Sequence, residues 1–199
     1  MEIVILAFDG FDELDAIGPF EVFENAALAG ADLTTAIRTV DGAERVTASH
    51  GLEVGADGAL SKADPDVLLV PGGGWNARND EGAWAEAERG AIPDAVRDHH
   101  ERGVTVAGVC TGGMLLSRAG ILDGRPAVTH AGALEDLRAT EAEVVDARVV
   151  DDGDVLTAGG VTSGLDLAMH FVEREFGASV ARAVRTEMEY EPTGTVHRL

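Results

Sequence analysis

The chain's one cysteine, Cys110, lies in Gly108-Val109-Cys110-Thr111-Gly112, a G-x-C-x-G run. That pattern serves nucleophilic catalysis when a strand runs into it and a helix leaves it. The glycines make room for a tight turn with the nucleophile at its apex. A helix opening there directs its positive end at the sulfur, which predicts a preference for thiolate over thiol. A single cysteine excludes an intramolecular disulfide and a multi-cysteine metal centre. It leaves two roles, an inert buried thiol or a reactive one, and the spacing alone does not choose between them.

Other groups sit where they would join such a site. Gly72-Gly73-Gly74 follows the strand-like run Asp66–Val70. Backbone N–H groups of Gly73 and Gly74 would suit a developing negative charge, although a glycine run also makes a plain turn. Asp12, Glu13 and Asp15 follow the first apolar run, so one carboxyl group there can approach the sulfur. In so acidic a chain, any one of them is as readily a solvated or helix-capping side chain. His50, His99, His100, His170 and His197 show no convincing metal spacing. His99 and His100 fall on a polar helix end, and His170 at a packing position. Thr162 reads as a helix N-cap.

The elements that must position these residues alternate in type. Glu2–Phe8, Leu33–Val40, Asp66–Val70, Val104–Val109 and Ala127–His130 read as strands. Glu143–Val150 and Val155–Ala158 read as a strand pair turned at Asp152-Gly153. Helices are predicted over 17–28, with Pro19 near the first turn, and over 81–89, 92–102, 111–119, 133–139, 165–176 and 179–187. Val46–Val54 reads as a peripheral polar hairpin. Alternating strands and helices predict an α/β sandwich with a mainly parallel sheet. In such sheets, sites form beyond the carboxyl ends of the strands, where Cys110 falls. No linker, repeat or low-complexity run divides residues 1–199, so one domain is expected.

Composition narrows the partners. Against 36 Asp and Glu stand 15 Lys and Arg, a formal net charge of −21, and Lys62 is the one lysine. Such a surface repels phosphate backbones and anionic bilayers, so neither nucleic acid nor membrane is an expected partner. The dispersed carboxylates suit a salt-adapted protein, whose self-repulsion is screened by salt. Unfolding should then be harder in molar than in low salt, and equal or greater stability at low salt would overturn that reading. No apolar stretch has bilayer-spanning length. The first residues lack a basic segment and a cleavage site, so a cytoplasmic location is expected.

Several segments together resemble the ThiJ/PfpI superfamily over nearly the full length, and within it the isonitrile hydratase branch. They are Leu14-Asp15-Ala16-Ile17-Gly18-Pro19, Val70-Pro71-Gly72-Gly73, Val109-Cys110-Thr111-Gly112, Thr129-His130, Leu156–Asp166 and Glu189-Tyr190. The resemblance implies a flavodoxin-like three-layer α/β/α sandwich, a homodimer, a small-molecule substrate, and neither metal nor organic cofactor. It implies Cys110, Asp15 and Thr111 as catalytic residues, with His130 near the site. The protease-like branch has histidine after the cysteine and a glutamate from the first loop. Thr111 and Asp15 depart from that and weaken peptidase and deglycase readings. The implied chemistry is attack of Cys110 on an isonitrile carbon, with Asp15 as acid and base. Two alternatives remain open, a thiol-based sensor or ligand-binding module and a cysteine hydrolase or glyoxalase-like enzyme. Related domains occur fused to helix-turn-helix regulators, and the chain ends soon after its last predicted helix, so no such module is expected.

Overall fold

The structure, a computed structural model, describes residues 1–198. β1 (Glu2–Leu6) is buried from Ile3 to Leu6, so both its faces are covered. α1 (Glu13–Leu28) leads to β2 (Thr34–Arg38), parallel to β1. β3 (Arg45–Thr47) and β4 (Glu53–Gly55) form the expected hairpin outside the main sheet. β5 (Val67–Val70) joins the other side of β1 and is followed by α2 (Ala83–Arg89) and α3 (Ala91–Glu101). β6 (Thr105–Val109) runs into α4 (Gly112–Arg118). β7 (Pro126–Ala127), α5 (Leu134–Arg138) and β8 (Glu143–Val144) form a satellite in which β7 pairs with β8. β9 (Val149–Asp151) and β10 (Val155–Ala158) return to the main sheet. α6 (Ser163–Phe176), α7 (Ala178–Glu187) and β11 (Val196–Arg198) follow.

The main sheet runs β11-β9-β10-β6-β5-β1-β2. Its pairs are parallel except β9 with β10, among the described residues. α1, α6 and α7 pack together on one face, and α2, α3 and α4 on the other. This is the expected flavodoxin-like sandwich. Phe23 of α1 meets Phe171 of α6 edge to face, with ring centroids 6.0 Å apart. No helix among the described residues is long and apolar enough to cross a membrane.

Four local expectations fail, one for a local and three for tertiary reasons. α1 begins four residues before Ile17, because the Asp12 side chain accepts the Leu14 N–H and caps it. Pro19 therefore lies inside the helix, where it packs against Gly164. The strand expected over 127–130 is cut short: the Val128 N–H donates to Thr157 Oγ1, and the Thr129 hydroxyl donates to the Cys110 carbonyl. The strand expected over 143–150 splits between the satellite and the main sheet. Thr162 stands at the α6 cap position, but its side chain makes no capping bond and instead accepts one from Arg148. β11 carried no clear strand signal; it is a short edge strand beside β9.

Candidate active site

Cys110 takes φ +57, a left-handed conformation that costs a side-chain-bearing residue about 1 kcal/mol. The neighbours leave the chain no other path. A Cβ on Gly108 would lie 2.9 Å from the Gly113 nitrogen, and one on Gly112 would lie 2.1 Å from the Val70 carbonyl oxygen. The Cys110 N–H is shared between the carbonyls of Ala158 (3.1 Å) and Gly159 (2.9 Å). β6, β10 and the start of α4 thus fix the turn together. This strain predicts that Cys110→Gly is more stable than Cys110→Ala by about 1 kcal/mol in urea unfolding. An alanine variant equal to or more stable than the glycine one would show that the turn is unstrained.

The three acids after β1 meet three fates. Asp12 caps α1. Glu13 accepts from the His50 backbone N–H, pairs with the His50 ring at 2.6 Å, and is held down to about 2 by those bonds against a desolvation that pushes the other way. Asp15, in the first turn of α1, is fully buried. Its Oδ2 accepts the Gly72 N–H at 2.9 Å, while its Oδ1 has no hydrogen-bond partner. Burial, and then the nearby Asp12 charge, push its pKa from 3.8 up to about 8.

Asp15 faces the Cys110 thiol. The expected preference for thiolate is reversed. Burial, then the Asp15 charge, push the thiol up to about 12, against the pull of the Val161 and Thr111 N–H groups aimed at the sulfur. α4 spans seven residues, and its end cannot offset removal from water. The result is a buried pair of acids close enough to share one proton.

Thr111 is buried beside Cys110, and its Oγ1 accepts the Gly73 N–H at 2.9 Å. That donor is therefore occupied by the protein's own hydroxyl. Gly74 packs against the Glu81 carbonyl. The glycine run does reach the site, but through Gly72 on Asp15 and Gly73 on Thr111. His130 is half-buried, and its Nδ1 accepts the Gly132 N–H at 3.0 Å, which places the ring proton on Nε2. The ring lies over Gly160, where a Cβ would come within 2.8 Å of it, next to the Val161 N–H that faces the sulfur. Sequence reasoning missed Gly72, Thr129 and Val161 as contributors. All three lay in noted motifs, but nothing local marks a backbone N–H as a ligand of a distant sulfur.

The remaining polar clusters are internally bonded. Asp12, Glu13 and His50 can bring three ligand atoms within 4.8 Å of one another, yet Asp12 is a cap and Glu13 is paired with His50. His99 is buried, bonded to the Ala95 carbonyl, and His170 is buried against Asp151. A cleft of about 270 Å³ between Phe8, Val40 and Ile92 lies past the ends of β1 and β2 and does not include Cys110.

A mainly parallel sheet, a cysteine at the strand-to-helix elbow and a buried acid in the first turn of α1 stand together, and the chain belongs to the DJ-1/PfpI family, whose pattern matches residues 1–174. Isonitrile hydratase of Pseudomonas putida is 31% identical over 194 residues, covering 96% of this chain and 79% of that protein. The Parkinson disease protein 7 homolog of Danio rerio is 30% identical over 191 residues, covering 94% and 95%. Among solved structures, a ThiJ/PfpI family protein from Pseudomonas syringae superposes with a TM-score of 0.83 at 26% identity, covering 96% of this chain and 76% of that one.

Proposed function

We propose that the chain is an isonitrile hydratase-like hydro-lyase that adds water to an isonitrile and releases an N-formamide. The observation that carries this reading is the pair of Asp15 and Cys110, a buried carboxyl group with one oxygen unpartnered against a buried thiol. An isonitrile carbon must gain both a nucleophile and a proton. With one proton on the pair, the thiol passes it to Asp15 as sulfur bonds to the carbon, and Asp15 delivers it to that same carbon. This gives a thioimidate, R–N=CH–S, and an Asp15 carboxylate. Water then gives one proton to Asp15 as its oxygen bonds to the carbon, and Asp15 hands that proton to nitrogen. The C–S bond breaks, the electron pair returns to sulfur, the hydroxyl proton returns to the pair, and R–NH–CHO leaves.

Two features support this over acyl chemistry. Attack on a carbonyl builds an oxyanion, and the Gly73 donor that would meet it is filled by Thr111. Attack on an isonitrile builds no oxyanion. Cys110 is also only 5% exposed, which suits the narrow, linear end of an isonitrile. Thr111 Oγ1, fixed by Gly73, is left to orient the attacking water through its own O–H. In this reading Gly73 acts through Thr111, Gly74 shapes the loop, and His130 borders the substrate. A thiol sensor is the second reading, because Cys110 is the chain's one thiol and stands at a strained turn. A thiol pushed up to about 12 counts against it, since oxidation needs standing thiolate. With the hydratase reading we propose a homodimer without metal or organic cofactor; the cytoplasmic location and salt adaptation are proposed separately, from the first residues and from the charge balance.

The test is formamide production from a panel of alkyl isonitriles, with dicarbonyls and peptides as alternatives. kcat/KM should rise through pH about 8, as the pair loses its first proton. Full isonitrile turnover by Cys110→Ala, or conversion of dicarbonyls alone, would sink the proposal. Reversible oxidation of Cys110 without conversion of any compound would establish the sensor.

A further inference from the structure

The Leu156–Asp166 stretch and Tyr190 take no part in the chemistry above, yet they share a partner. Arg148 lies just before β9. Its carbonyl accepts the Gly159 N–H at 3.0 Å. Its guanidinium donates from Nη2 to Thr162 Oγ1 at 2.9 Å and from Nε to Asp166 Oδ2 at 2.6 Å. Asp166 is 3% exposed and also accepts the Tyr190 hydroxyl at 3.1 Å and the Thr193 N–H at 2.6 Å. The fork is thereby fixed from behind. Gly194 closes on it: a Cβ there would lie 2.8 Å from the Arg148 side chain.

Arg148 thus grips both ends of the turn Gly159–Thr162. That turn is one wall of the nucleophile. The Gly159 carbonyl accepts the Cys110 N–H at 2.9 Å, and the Val161 N–H is aimed at the sulfur. Gly159 and Gly160 have no side chains with which to anchor it. Thr162 does not cap α6, so its hydroxyl is free to be held from outside.

We propose that Arg148 is a positioning residue for Cys110, holding the Gly159–Thr162 turn so that the Val161 N–H donates to the thiolate as it forms. Asp166 and Tyr190 set the guanidinium, the guanidinium sets Thr162, and Thr162 sets its neighbour Val161. Lysine cannot replace it fully, because one ammonium does not present two donors in a fixed plane. The inference rests on Cys110 being the nucleophile and not on the identity of the substrate.

Alkylation by iodoacetamide reads this directly, since Cys110 is the only thiol. Thr162→Val removes one end of the grip and keeps the Arg148–Asp166 pair. At pH 8 it should alkylate about tenfold more slowly than wild type, the worth of one hydrogen bond to a charged group. Arg148→Gln should slow at least as much, with Arg148→Lys between it and wild type. A merely structural role gives the opposite sign, because a loosened turn exposes the buried sulfur and speeds alkylation. Arg148→Gln strands the Asp166 charge and can fail to fold; Thr162→Val then decides. A folded Thr162→Val alkylated at the wild-type rate or faster overturns the proposal. That result would leave the hydratase reading standing, which isonitrile turnover tests separately.

Discussion

Asp15→Asn should stabilise the protein at pH 8 by about 3–5 kcal/mol while lowering isonitrile turnover at least about 100-fold. Asp15 has a folded pKa near 8 against an ordinary 3.8, so the folded state binds its proton more tightly than the unfolded chain. Stability from this group is fully present below about pH 4. It is lost as pH rises toward 8, at about 1.4 kcal/mol per unit, and is level above that. Asparagine cannot ionise, yet its amide oxygen can still accept the Gly72 N–H. Urea unfolding of wild type and variant at pH 5 and pH 8 measures the difference, and groups common to both proteins cancel. If the gap between the two proteins is the same at both pH values, Asp15 is not a buried proton holder and the pair has no acid. A variant more stable yet inactive would locate the stability given up for function in one carboxyl group.

The second large effect concerns the two backbones that meet behind the sulfur. Gly72→Ala places a Cβ 2.4 Å from the Thr111 nitrogen and 2.5 Å from its Oγ1. Gly112→Ala places one 2.1 Å from the Val70 carbonyl. Both neighbours include buried backbone, which cannot rotate away. Each substitution should cost more than about 4 kcal/mol, or yield no soluble folded protein. Gly120→Ala is the contrast: φ is +77, but nothing lies within 4 Å, so the cost should be about 1 kcal/mol. Chemical unfolding of the three variants separates contact from conformation. A Gly112→Ala protein as stable as Gly120→Ala would mean that β5 and the elbow do not approach this closely. The clash and the function share one cause. The closeness that forbids a methyl group also brings the Gly72 N–H to Asp15 and the Gly73 N–H to Thr111.

The sandwich was legible in the sequence because buried parallel strands are apolar on both faces and helices carry their own start and stop signals. Ile3 to Leu6 and Leu68 to Val70 could be little else. The elbow was legible because its glycines are a local steric necessity. The edges were not. Thr129 left its expected strand for the Cys110 carbonyl, a partner 19 residues away that no local pattern announces. α1 was misjudged because Glu13 and Asp15 look like loop residues until Asp12 is seen to cap them.

By itself the sequence determined the layered fold, the position of Cys110 at a strand end, and the set of acids from which its partner would come. Residue types and spacing left that choice open, the family resemblance pointed to Asp15, and the tertiary structure supplies the physical reason: Asp15 is the one buried against the thiol. Asp12, Glu13 and Asp15 are chemically near-equal within four residues of chain, and only burial separates them. One caps a helix, one pairs with His50 at the surface, and one is removed from water and pushed up to about 8. Tertiary structure also reversed the predicted state of the thiol, because desolvation outweighs the end of a seven-residue helix. Ionisation depends on what surrounds a group in space, and that surrounding is assembled from β5, β10 and the turn before α6, which the order of residues around Cys110 does not contain.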